Sequence, residues 1–121
     1  MTSILYLATS YYHDDPKVRE ERYHIACKLV AALFKEKIYV YSPIVHNVVP
    51  AQIGKIPSGY DIWQEFDEEM CRKLDGLIVA KIDGWQESKG VQAEINLCKQ
   101  LHKIIQYLEM SKVEQMICGI K

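Results

Sequence analysis

Ser88 and Glu94 are the pair in this chain whose types and spacing point most directly to chemistry. If Ser88 caps a helix running to about residue 101, then Val91, Glu94, Cys98 and Leu101 share one helical face. That places a carboxylate on an apolar stripe. An ionised glutamate without a partner costs several kcal/mol to bury, so such a group is expected to be paired, protonated or working. The cap position also offers free backbone N–H groups and the positive end of the helix dipole, a place to hold a phosphate. One segment thus supplies an anion cradle and, about two turns deeper, a candidate nucleophile. The plainer reading is an ordinary serine cap with a glutamate at the edge of the stripe.

A second carboxylate, Asp67, lies four residues from Trp63 in a segment whose Trp63, Phe66 and Met70 point inward. Its aromatic neighbours are expected to raise its pKa and fit it to share a proton with a leaving group; otherwise it is a solvated helix carboxylate. Tyr6 is either a core residue with a satisfied hydroxyl or a residue that orients Glu94. His46 is a candidate contact for a base or a phosphate, against the plainer reading of a surface histidine after a proline turn. Trp85 is read as a lid or as a subunit contact. His13, Asp14 and Asp15 imitate a metal cluster, but consecutive loop residues seldom converge on one ion, and Asp15 is better explained as a helix cap. Neither a metal nor an organic cofactor is expected.

The elements that must position these groups alternate along the chain. Ile4 to Ala8 is a continuous apolar run, as in a parallel strand covered on both faces, and reads as the central strand. Asp15-Pro16 opens a helix that runs to about Glu36, with an apolar face including Tyr23, Ile25, Ala26, Leu29, Val30, Leu33 and Phe34. Strands follow at Lys37 to Tyr41, Asp75 to Ala80 and His102 to Leu108. Helices are expected from about Asp61 to Lys73, after Ser88, and over Met110, Val113 and Ile117. Residues 43–60 hold three of the four prolines with Gly54 and Gly59 and read as a long irregular loop. This order predicts an α/β fold, a Rossmann-like or flavodoxin-like three-layer sandwich on an open, mainly parallel sheet of about four to five strands. Ligands of such sheets bind beyond the carboxyl ends of the strands, here Ala8 to Tyr12, Ser42 to His46 and Lys81 to Ser88.

The 121 residues fit one domain, 1–121, and 49% hydrophobic with 26% charged residues is an ordinary globular balance. With a net charge of -1 and scattered lysines and arginines, a polymeric nucleic acid is an unexpected partner. Cys27, Cys71, Cys98 and Cys118 form no C-x-x-C pair and read as buried thiols in a reducing compartment. Ile4 to Ala8 is far too short for a signal-peptide core or a spanning helix. A cytoplasmic location away from membranes is expected.

Over most of residues 3–108 the chain resembles the nucleoside 2-deoxyribosyltransferase superfamily, including its small branch of nucleoside 5′-monophosphate N-glycosidases. The resemblance is carried by Ser88-x-Gly90-Val91-x-x-Glu94, by Tyr6-Leu7-Ala8-x-Ser10, and by Asp67 standing eight residues before Asp75. It implies that Ser88, with Gly90 in its motif, holds a 5′-phosphate and that Glu94 attacks the anomeric carbon. It further implies that Tyr6 positions that carboxylate, that the loop holding Ser10 borders sugar and phosphate, and that Asp67 is the site's aspartate. The chain departs from the family's transferases in lacking a match to their C-terminal segment, which serves a neighbouring subunit. The expected function is that of an N-glycosidic bond hydrolase or deoxyribosyltransferase-like enzyme acting on a small nucleotide or nucleoside. The alternative is a noncatalytic protein that binds or sequesters a nucleotide or an ADP-ribose-like ligand. A homo-oligomer, a dimer or higher, is implied because the family builds its sites across subunit contacts.

Overall fold

Ile4–Ala8 forms strand β1 inside the sheet, and its apolar run is covered from Tyr6 to Ala8, while Leu5 is half-buried and Ile4 is exposed at the strand's start. In the computed structural model, which describes residues 2–57 and 61–120, β1 leads through a loop into α1 (Pro16–Lys35). The order continues with β2 (Tyr39–Tyr41), α2 (Pro43–Ile53), α3 (Asp61–Lys73), β3 (Gly76–Ala80), α4 (Lys89–Gln100), β4 (Ile104–Leu108) and α5 (Met110–Cys118). The four strands pair in the order β2-β1-β3-β4, every neighbouring pair parallel. The fold is the expected α/β sandwich, with four strands among the described residues.

The strand period of two divides the core into two faces. Tyr6 and Ala8 of β1 join Leu77 and Val79 of β3 on one side, where Cys71 of α3 and Val91, Ile95 and Cys98 of α4 cover them. Leu7, Val40, Ile78 and Ala80 face the other way onto Leu29 and Leu33 of α1 and Val113 of α5. The carboxylates singled out above ride on α3 and α4, so the first face is the one that can build a site.

Residues 43–53 are not irregular. Ser42 accepts the Val45 N–H at 3.1 Å and Pro43 takes the first helical position, where its missing N–H costs nothing. Pro50 comes late enough in α2 that little of the helical ladder is lost to it. The predicted loop is therefore a helix, and residues 58–60, Gly59 among them, lie outside the described part.

Helices α1, α2 and α4 end alike, with Lys37, Lys55 and His102 at φ 61°, 53° and 56°. In each case the next N–H reaches back across the turn: Ile38 to Leu33 O at 2.9 Å, Ile56 to Ala51 O at 2.9 Å, Lys103 to Cys98 O at 3.0 Å. These are left-handed terminators normally filled by glycine, and their absence of glycine hides them from the sequence. Asp75 also has an anchoring role, its carboxylate accepting the Ile4 N–H at 2.8 Å where β1 begins.

Some packing departs from expectation. Phe34 is exposed and stacks edge-on with Tyr39, 5.5 Å between ring centroids, beyond the apolar face of α1. Leu101 is exposed at the end of α4, and Phe66 is exposed too. All four cysteines are free thiols, but only Cys71 and Cys98 are buried; Cys27 is half-buried and Cys118, the last residue of α5, is exposed. No helix among the described residues is long and apolar enough to cross a membrane.

Candidate functional site

The site starts from two tyrosines on neighbouring strands. Parallel register sets Tyr6 beside Tyr41, with ring centroids 5.5 Å apart and edge to face. Each hydroxyl donates to a different carboxylate: Tyr6 to Glu94 Oε2 on α4, and Tyr41 to Asp67 Oδ1 on α3 at 3.4 Å. Burial, first of all, raises the pKa of both phenols, and the carboxylate charges nearby add to it, so both keep their protons and act as donors.

Glu94 sits between Val91 and Cys98 on the buried face of α4, as the helical spacing predicts. Burial pushes its pKa up to about 8; the bond from Tyr6 pulls against that shift, and the charge of Asp67 adds to it. Asp67 is half-buried, and its pKa is also raised by burial. Three groups oppose that rise: the Asn47 amide, the Tyr41 hydroxyl and the charge of His46. Asn47 Nδ2 lies 3.0 Å from Oδ1 and 3.3 Å from Oδ2 of Asp67. With three groups favouring its charged form against one for Glu94, Asp67 ionises first, and the two carboxyls titrate as a pair.

An aromatic wall stands beside Asp67. The His46 ring lies 5.4 Å from Phe66 and 5.7 Å from Tyr41, and Phe66 meets Tyr41 edge-on at 6.1 Å. His46 and Phe66 both reach solvent, so this wall is open on its outer side.

The remaining residues gather on the loops that lead into α4. Ser88 Oγ accepts the Val91 N–H at 3.2 Å, the predicted cap, so the N–H groups of Lys89 and Gly90 belong to the first turn, where a helix has no acceptors of its own. A side chain at Gly90 would meet open space apart from Ser88 Oγ at 4.0 Å. Ser10 is fully buried and donates to Asp83 O at 2.6 Å, tying the loop after β1 to the loop after β3. Trp85 packs against the core face that holds Tyr6, with the Lys81 ammonium 5.4 Å from its ring and Tyr107 at 6.1 Å. Lys81 is itself paired with Glu109 at 2.7 Å. Asp15 caps α1 through the Lys17 N–H at 2.9 Å and donates its own N–H to His13 Nδ1. Among the described residues no group of three or more His, Cys, Asp and Glu side chains is placed to hold a metal ion.

Tyr41, Asn47 and Arg22 belong to this arrangement without having been expected there. Arg22 is buried in α1 and donates to Tyr12 O at 2.8 Å and to Asp83 Oδ2 at 3.3 Å. It lies so close under Gly84, whose φ is 84°, that a Cβ there would fall 2.5 Å from the guanidinium. Ser10 and Arg22 together clasp the loop that presents Ser88. Tyr41 is placed by its register with Tyr6, which only the structure gives, whereas the Ser42-Pro43 helix start was the signal in the sequence for Asn47. Two surface clefts of ≈ 580 and ≈ 370 Å³ lie along α1 and between α1 and α2, lined by exposed and half-buried side chains. Neither includes Glu94 or Asp67, and the half-buried, tyrosine-paired carboxyls are the better marker of chemistry.

The family model described as "Domain of unknown function (DUF1937)" matches residues 3–110. No curated protein matches the chain.

Proposed function

We propose that this chain, which belongs to the DUF1937 family, cleaves the N-glycosidic bond of a small nucleotide or nucleoside with Glu94 as nucleophile. The observation that carries the reading is the double pairing of adjacent tyrosines with two half-buried carboxyls, Tyr6 with Glu94 and Tyr41 with Asp67. Breaking a C–N bond to a sugar develops positive charge at the anomeric carbon, which a carboxylate held by one directed donor is suited to meet. In the first step a Glu94 oxygen bonds to that carbon, the C–N electron pair goes to the base, and the base takes a proton from Asp67. In the second, water attacks the same carbon, gives a proton to Asp67, and the Glu94 ester oxygen leaves. A second base in place of water makes the reaction a transfer.

The pair must carry one proton for this sequence. Burial leaves that proton on Glu94 at rest, and the reaction draws on the arrangement with the proton on Asp67. Activity should therefore follow a bell-shaped pH profile, lost at low pH when both carboxyls are protonated and lost above about 8 when the last proton leaves. The first-turn N–H groups after Ser88 would hold a 5′-phosphate, with the open space at Gly90 admitting it and Ser10 keeping the neighbouring loop in place. His46 and Phe66 form the wall nearest the leaving base, and Trp85 borders the α4 loop. We read the protein as a cytoplasmic homo-oligomer that takes no cofactor.

The resting proton on Glu94 favours one competing reading, a protein that holds a nucleotide or ADP-ribose-like ligand without turning it over. Incubation with a panel of nucleosides and 5′-monophosphates, followed by chromatography of free base, separates the two. Base release that is lost in Glu94→Gln supports the enzyme; tight binding with no release from any member of the panel supports the binder.

A further inference from the structure

Asn47 stands between His46 and Asp67 with both edges of its amide occupied. Its Nδ2 faces the two oxygens of Asp67 at 3.0 and 3.3 Å, and its Oδ1 lies 2.7 Å from His46 Nδ1. Both residues sit just past the capped first turn of α2, where the His46 N–H bonds to Ser42 O at 3.0 Å, so the backbone beneath them is fixed. An amide has one donating edge and one accepting edge. With the donating edge on Asp67, His46 must give its Nδ1 proton to the accepting edge, and the carboxyl that fits is the ionised one. Turned over, the amide would offer Oδ1 to Asp67 and Nδ2 to His46. The carboxyl that fits then is the protonated one, and His46 must present a lone pair at Nδ1.

Amide orientation, histidine tautomer and the charge of Asp67 are thus tied together. We propose that Asn47 is a positioning residue that decides which of the two carboxyls, Glu94 or Asp67, carries the single proton of the pair. In the orientation observed the proton rests on Glu94. When the amide turns, the proton leaves Glu94 and goes to Asp67, where a leaving base can take it, while the exposed His46 ring gives its Nδ1 proton to water and takes one from water at Nε2, so that the charges of the pair and of the ring are unchanged. The role in base departure rests on the proposed function; the assignment of the proton is a property of the free protein.

The groups that face Asp67 come from five elements: Asn47 and His46 on α2, Tyr41 on β2, Tyr6 on β1, Glu94 on α4, and Cys71 on its own helix α3. Burial holds the Tyr6 and Tyr41 phenols and the Cys71 thiol in their neutral forms. Glu94 and Asp67 are left as the two groups that share the proton of the pair. Of the polar neighbours that hydrogen-bond to Asp67, Tyr41 is held as a donor, whereas Asn47 can serve either protonation state.

The test is a carboxyl ¹³C NMR titration of the free protein, made in parallel with the pH profile of base release. In the parent protein Asp67 should titrate below Glu94. In Asn47→Ala the Asp67 midpoint should rise by about one pH unit, as expected when a charged carboxylate loses its amide donor, and the acid limb of base release should rise with it. His46→Leu keeps an apolar side chain against Phe66 and Tyr41 but removes the group that pins the amide, so it should raise the Asp67 midpoint by less. Asn47 as a packing residue alone would leave both carboxyl midpoints in place. Unmoved midpoints in folded Asn47→Ala overturn the proposal, and if that variant does not fold, an unmoved midpoint in His46→Leu does so. A midpoint that moves in a protein releasing no base from any nucleotide sustains the proton assignment and removes the glycosidase reading instead.

Discussion

Replacing Glu94 by glutamine should make the protein more stable at alkaline pH while leaving it nearly unchanged in acid. The carboxyl of Glu94 has an ordinary pKa of 4.5 and is pushed by burial to about 8, so the folded chain holds this proton more tightly than the unfolded one. For a carboxyl raised in this way, the favourable contribution is complete below about 4.5 and is lost as pH rises through about 8. Between those limits the loss approaches about 1.4 kcal/mol for each pH unit. Across pH 5 to 8 that amounts to about 4 kcal/mol, or roughly 10 to 20 °C in melting temperature for a domain of this size. Glutamine resembles the protonated acid in shape and can still accept from Tyr6, so it removes the ionisation and little else. Urea unfolding of both proteins at pH 5, 6, 7, 8 and 9 reads this effect, because every titrating group except Glu94 and its coupled partner Asp67 behaves alike in the two. The stability difference should be small at pH 5, widen in favour of Glu94→Gln up to about pH 8, and level off above it. Parallel curves would mean that Glu94 is not held in a desolvated site, and the account of a proton shared with Asp67 would fall.

Three further outcomes follow from other parts of the structure. A 5′-monophosphate should bind more tightly than its nucleoside, and Ser88→Ala, which removes the cap of α4, should shrink that difference by about 1 to 2 kcal/mol in calorimetry; equal affinities in the parent protein would remove the phosphate site. Gly84→Ala should destabilise the chain by about 2 to 3 kcal/mol in urea unfolding, because the new methyl group meets Arg22 at 2.5 Å on a backbone with φ 84°, and an unchanged midpoint would show that the loop is not clasped. Light scattering at micromolar concentration should report at least two chains per particle, and a monomer that releases base would show that one chain completes the site.

The parts of the fold that were legible in the sequence were those with unmistakable local signals. Asp15-Pro16 and Ser88 marked helix starts, and the runs at Ile4 to Ala8 and Asp75 to Ala80 marked covered strands. The bond from Tyr6 to Glu94 is one of the two roles the sequence left open for that tyrosine, and it was the resemblance of Tyr6-Leu7-Ala8-x-Ser10 that pointed to it, since no local pattern joins two residues so far apart in the chain. Ser42-Pro43 carries the same start signal as Asp15-Pro16, but Val45, Val48 and Val49 lower helix propensity, and Pro50 and Gly54 read as breakers. Tertiary packing overrode those preferences, and with α2 hidden Asn47 had no place in the site. Tyr41 could not be linked to Asp67 before the register of β2 on β1 was known, since one residue of slip would turn its ring to the other face. Arg22 was hidden for a different reason. A charged residue within an amphipathic helix is expected to face water, and only the loops folded over it explain its burial.

The most direct test of Glu94 as nucleophile is the configuration of the sugar product when the reaction is run in water containing methanol. Methanol competes with water in the second step and yields a methyl glycoside that does not interconvert between anomers, so its configuration can be read by NMR. Two displacements at the anomeric carbon, first by Glu94 and then by methanol, return the original configuration, whereas a single direct displacement inverts it. From a β-nucleotide the account predicts the β-methyl glycoside from the parent protein, with its formation reduced about a thousandfold or more in Glu94→Gln. The α-methyl glycoside, or undiminished formation of the β-anomer by Glu94→Gln, would contradict it.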